Sequence, residues 1–293
     1  MPVLLMTVWL TGCVQEELGS TPSPTGNGIR FTLTVPDVNL PSVSSRTMTG
    51  TGTAKKEDEI ETVDILVFDM SKTPAVYLEC VSATGVTQDL ADNSTVSFSA
   101  VLSPTTASTC IVVVANKELD NIVPGFIKGT TTKVEAMEKM LHAQTGKWLA
   151  DGSTTDGYTR IPMYGEKVIS KITPSMDPIT GINMKRMLAR IDIRNNSATS
   201  NFTVEEVYLA NYNTTGYIAP AWNTNGQVTD PAPDTPVLPV NSGKMTEEGD
   251  AILYSVNGNT PYDGEIYTFE SLAAEDAGGT GADGEASRKD ATC

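Results

Sequence analysis

The run Ile111-Val112-Val113-Val114-Ala115 constrains the fold more than any other stretch of this 293-residue chain. A short, wholly apolar, valine-rich run reads as a central strand buried on both faces. Other stretches alternate instead. Ile29, Phe31, Leu33 and Val35 are separated by Arg30, Thr32 and Thr34, and Val96, Phe98 and Ala100 by Ser97 and Ser99. A period of two puts one face into a core and the other into water. Residues 60–69 begin in this way and become apolar on both faces. Residues 76–81, 252–256 and 265–270 are further strands. Abundant Thr, Ser and Val, with almost no long helical pattern, complete an all-β composition.

One segment has helical spacing. Val134, Met137, Met140 and Leu141 predict a helix near 133–143, with Lys133, Glu135, Glu138 and Lys139 toward water. His142, the single histidine, is read as a surface or half-buried side chain rather than a ligand. The run 182–194 fits two patterns. Met184, Met187, Leu188 and Ile191 match a helix face, whereas Met187, Ala189, Ile191 and Ile193 match a strand face. Small polar residues at 195–200 mark a domain boundary, and 211–249 reads as a Pro-, Asn- and Gly-rich loop.

Composition excludes several functions. Acidic residues outnumber basic ones 36 to 20, for a net charge of −16. Nucleic-acid binding relies on Lys and Arg neutralising phosphate, so no nucleic-acid partner is expected. One histidine and four widely spaced cysteines offer no metal-ligand spacing. Cys80 and Cys110 lie in β runs and read as small buried hydrophobes; the alternative is a bridge between them. Asp151, Asp156 and Asp230 sit in loops, but without a nucleophile–base arrangement or a cofactor motif they do not make an enzyme.

The N-terminus points to export. Residues 3–10 are apolar but too few to span a bilayer, and they end in Leu10-Thr11-Gly12-Cys13. This is a lipoprotein signal peptide over 1–13, with Cys13 becoming the acylated first residue and anchoring the chain in a membrane through lipid. Val14-Gln15-Glu16-Glu17 resembles the acidic tag that sends Bacteroidetes lipoproteins to the cell surface. Residues 14–28 form a flexible tether.

With these parts in order, the chain resembles the Bacteroidetes fimbrillin family. The resemblance is carried by the Cys13 lipobox, the first strand 29–35 with the Arg46-bearing loop after it, and Glu59-Ile60-Glu61-Thr62-Val63-Asp64-Ile65-Leu66-Val67-Phe68-Asp69. It continues through Ile111–Asn116, Ile161-Pro162-Met163-Tyr164-Gly165, Arg186-Met187-Leu188-Ala189-Arg190-Ile191-Asp192-Ile193, Phe202-Thr203-Val204 through Gly216-Tyr217-Ile218-Ala219-Pro220, and Ile266-Tyr267-Thr268-Phe269-Glu270. It implies two transthyretin-like β-sandwich domains, 29–196 with one inserted helix and 197–293, and it decides the run 182–194 for strand. The second domain offers about four strands where a sandwich typically has seven or more, so it is expected to be incomplete and to lack a donor segment.

The resemblance also implies a function. Such proteins are surface-exposed lipoproteins of the outer membrane that form fimbriae and support cell adhesion. An Arg-specific protease cuts after the first strand, and a strand from another fimbrial subunit takes its place. Arg46 is then the candidate cleavage site. The displaceable strand carries Ile29, Phe31, Leu33 and Val35, and is expected at a sheet edge or in another removable position. An alternative reading is a surface glycan-binding lipoprotein, with Tyr158, Tyr164, Tyr217 and Trp222 as loop aromatics stacking on sugars.

Overall fold

A computed structural model of the chain describes residues 29–34, 58–88, 95–144, 146–148, 159–191, 206–210, 212–229, 237–240, 252–255 and 266–271. The elements in chain order are β1 (Ile29–Thr34), β2 (Val63–Asp69), β3 (Val76–Ser82), β4 (Thr84–Gln88), β5 (Thr95–Ala100), β6 (Thr109–Ala115), α1 (Lys133–Lys139) and β7 (Leu141–Ala143). They continue with β8 (Met163–Ile169), β9 (Ile179–Asn183), β10 (Lys185–Arg186), β11 (Ala189–Ile191), β12 (Glu206–Leu209), β13 (Thr215–Tyr217), β14 (Ile252–Ser255) and β15 (Ile266–Thr268).

A five-stranded sheet in the order β10-β8-β6-β2-β3 forms the central layer. All seven residues of β6 are buried, because both faces of this sheet are covered. On one face lies a four-stranded sheet in the order β4-β5-β1-β9. Ile65, Val67, Ile111 and Val113 meet Phe31, Leu33, Val96, Phe98 and Ile182 in the core between the two sheets. On the other face, Leu66, Phe68, Cys110, Val112 and Val114 are covered by Ala136 and Met137 of α1 and by Ile218, Ala219, Tyr267 and Phe269. The apolar runs of β2 and β6 are the strand signature of a layer sealed on both sides.

The helix is shorter than its spacing suggests. Thr132 caps α1, accepting from the Glu135 amide while the Glu135 carboxylate accepts from the Thr132 amide. Met140 then leaves the helical region, and Leu141–Ala143 pairs antiparallel with β13. The open edge of β13 outcompetes another turn of helix. β13 itself lies in the stretch that reads as a loop from composition. The described part of the run 182–194 holds no helix and contributes to β9, β10 and β11, with breaks at Met184 and at Met187 and Leu188.

β11 pairs with β15, and β12 with β14. Gly216 on β13 shows how closely the later segments dock. A Cβ built there would lie 2.5 Å from Cδ1 of Phe269, so the ring rests on bare backbone. Among the described residues, no helix is long and apolar enough to cross a membrane.

Candidate functional site

Three of the four residues assigned to a displaceable strand share one core. Ile29, Phe31 and Leu33 are 5%, 1% and 0% exposed and point into the intersheet core. Val35 lies outside the described residues, as do Cys13, Arg46, Asp151, Asp156, Tyr158 and Asp230.

The expectation of a sheet edge does not hold. β1 lies inside the four-stranded sheet, antiparallel to β5 and parallel to β9. The register against β5 is continuous, from Ile29 opposite Ala100 to Thr34 opposite Thr95. Against β9 it is interrupted between Phe31 and Leu33. β9 closes the second side because Ile179 and Ile182 bury themselves in the same core. Phe31 stacks on its direct partner Phe98, with ring centroids 5.0 Å apart and planes 8° from parallel. The outward side chains of β1, Arg30 and Thr32, share a shallow cavity of about 230 Å³ with Thr87, Ser97 and Ser99.

The described chain resumes at residue 58, and four side chains hold it there. The Gln88 amide donates to the Asp58 carbonyl (2.7 Å) and accepts from the Ile60 amide (3.1 Å). The Asn116 amide donates to the Glu59 carbonyl (2.7 Å) and accepts from the Glu61 amide (3.0 Å). Two side-chain amides thus act as the neighbouring strands of an extended segment. Asn116 stands at φ 59°, in the left-handed region that asparagine tolerates better than most residues. Arg160 adds ion pairs to Glu59 (3.2 Å) and Glu61 (2.6 Å), and Arg186 pairs with Asp58. The Ile60 side chain is buried in the intersheet core. None of the polar partners named here lies on β1.

A second polar cluster lies on the opposite side of the central sheet. Lys133 is 2% exposed, against the expectation that it faces water. Its Nζ donates to Glu166 Oε2 and to the Gly226 carbonyl, each at 2.6 Å. Tyr164 donates to the same Glu166 oxygen at 2.6 Å. Burial and the Glu166 charge push the Tyr164 phenol above its usual range. Burial likewise pushes the Cys110 thiol up to about 12, with Lys133 acting to lower it and Glu166 to raise it.

Cys80 and Cys110 are free thiols. They sit on β3 and β6 with β2 between them: Leu66 pairs with Cys80, and Phe68 with Cys110. Two strand spacings, about 10 Å, exceed the reach of a disulfide. Tyr164 is buried within β8, and Tyr217 packs edge-on against Trp222 at 4.9 Å. These three rings are therefore engaged within the fold. His142 on β7 is half-buried against Trp148, 5.0 Å away. Among the described residues, no group of three or more His, Cys, Asp or Glu is placed to hold a metal.

The clamp and the Lys133 cluster escape pattern reading, because most of their contacts join residues 28 to 128 apart in sequence. Asn116, directly after the most apolar strand, was the available signal for the clamp.

A crystal structure of a fimbrial assembly protein from Parabacteroides distasonis is similar at 11% identity and a TM-score of 0.42, covering 83% of this chain and 76% of that one. One of a putative cell adhesion protein from the same organism is similar at 14% identity and a TM-score of 0.46, covering 86% and 72%. A third, of putative polysaccharide binding proteins from Bacteroides thetaiotaomicron, has 12% identity and a TM-score of 0.36, covering 65% and 60%. No curated protein matches the chain. The family model of the fimbrillin-A associated anchor proteins Mfa1 and Mfa2 matches residues 23–275, most of the chain, and the protein therefore belongs to that family of fimbrium-associated proteins.

Proposed function

We propose that the protein is a non-enzymatic fimbrial subunit or pilus-associated surface lipoprotein. It is delivered to the outer membrane through a lipid on Cys13, supports cell adhesion, and assembles with other fimbrial subunits by strand exchange at β1, in which the lipidated fragment ending at Arg46 departs. In this reading the chain divides into domains at 29–196 and 197–293, with 14–28 as a tether. Cleavage at Arg46 severs β1 from the rest of the sandwich, and Val35 belongs to the strand that leaves.

The observation that carries the reading is the way β1 is held. Its three described apolar side chains are fully enclosed, and its hydrogen bonds run to strands from other parts of the chain. Burying them stabilises by about 5–9 kcal/mol, enough to retain β1 until a competing strand offers the same contacts. Removal of β1 would expose two ladders and an apolar trough, the features to which an added strand binds. The clamp at 58–61 keeps β2 seated when the chain before it is cut.

The test treats the protein with an Arg-specific protease, adds a peptide from the C-terminus of a fimbrillin, and follows mass by native mass spectrometry. The expected product is the sandwich with the peptide in place of the fragment ending at Arg46. Equal exchange in Arg46→Ala protein after the same treatment removes Arg46 from this role. Absence of exchange in fully cut protein overturns strand exchange itself. Retention of Cys13→Ala protein in the membrane fraction overturns the anchor.

A further inference from the structure

We propose that the β1 slot selects an incoming strand by an aromatic residue facing Phe98, with aliphatic residues two positions before and after it. The inference rests on strand exchange at β1 and adds what the strand must carry.

Register is the first argument. Every residue from 29 to 34 has a direct partner on β5, whereas the ladder to β9 is irregular, so β5 sets the alignment. The residues that β5 presents to the core differ in size. Ala100 faces Ile29, Phe98 faces Phe31, and Val96 faces Leu33.

The ring contact is the second argument. Phe31 and Phe98 are 1% and 3% exposed and lie nearly parallel at 5.0 Å. Without a ring at position 31, one face of Phe98 would lose its partner and a gap would open between the sheets. Stacked pairs contribute beyond the area that they bury. The position of the ring matters as much as its presence. Leu33 is 0% exposed, in a core that also holds Val96 and Ile182. A ring there would overpack the site, while leucine at position 31 would underfill the other. A strand of identical composition with the two residues exchanged therefore fits worse twice over. Registers shifted by two residues are rejected for the same reason, and shifts by one would turn Arg30 and Thr32 inward.

The experiment uses the protease-cut protein and two isotopically labelled peptides. One copies residues 27–36; the other carries Phe31→Leu together with Leu33→Phe. Replacement of the resident fragment is followed by native mass spectrometry in direct competition. The copy is expected to occupy the slot about threefold to tenfold more than the exchanged peptide. In Phe98→Leu protein, with its fold checked by circular dichroism, that preference is expected to shrink to the part contributed by the overpacked position 33. Equal occupancy by the two peptides in the unaltered protein overturns the selection rule while leaving strand exchange in place. A preference undiminished in Phe98→Leu protein overturns the assignment to Phe98. Occupancy by neither peptide removes strand exchange, and the rule with it.

Discussion

Lys133 and Glu166 form a 2.6 Å ion pair whose cation is almost completely enclosed, and Lys133 simultaneously reaches the Gly226 carbonyl. One ammonium group therefore joins the first turn of α1, the central sheet and a loop 93 residues further along the chain. Such a group has value only while its partners are present. Replacing Lys133 by methionine leaves the Glu166 carboxylate with the Tyr164 hydroxyl alone among these contacts. The expected loss is about 3–5 kcal/mol in denaturant unfolding. Adding Glu166→Gln to that variant is expected to recover much of the loss, because the two changes act on one coupled site.

Gly216→Ala is expected to destabilise by about 1–3 kcal/mol, because the new methyl group must displace the Phe269 ring. Hydrogen exchange locates the damage. Amides of 266–271 are expected to lose protection, while those of β2 and β6 retain it.

His142 makes the protein less stable as the medium acidifies. Burial, with a smaller contribution from Lys117, lowers its pKa from 6.5 to about 4, and Gln144 acts in the opposite sense. Between those values the unfolded chain binds a proton that the folded chain does not. The contribution is thus complete above pH 6.5 and is lost as pH falls toward 4. The ring is partly exposed, so its size is about 1–2 kcal/mol after solvent screening. His142→Phe keeps a ring against Trp148 and is expected to flatten this part of the stability–pH curve.

The clamp at 58–61 has an amide-resolved signature. The Ile60 and Glu61 amides donate to Gln88 and Asn116 side chains, respectively. Gln88→Ala is expected to speed exchange at Ile60 before Glu61. Asn116→Gly, which keeps the left-handed backbone accessible, is expected to do the reverse. Each change should cost about 1–3 kcal/mol locally. Equal acceleration at both amides in both variants would show that the segment opens as a unit instead.

The strands were legible wherever burial is one-sided or complete. The alternation of 29–34 and 95–100 and the apolar run of β6 each correspond to a strand of that burial pattern. The end of α1 was not legible, since Met140 and Leu141 continue the helical spacing and only the edge of β13 diverts them. Lys133 was misread for a related reason. Its neighbours Glu135 and Glu138 do follow a polar face, and the half-buried carboxylate that draws Lys133 inward lies on β8, 33 residues away. The position of β1 depends on β9, whose Ile179 and Ile182 are too few and too irregularly spaced to announce an additional strand. Sequence periodicity reports the environment of a strand's faces and is silent about what lies along its edges.

The opposite senses of the two ladders around β1 have a consequence for any larger structure built through this slot. Antiparallel and parallel neighbours present their donors and acceptors in different patterns, so a strand entering backwards would mismatch both at once. A link made here has a compulsory direction.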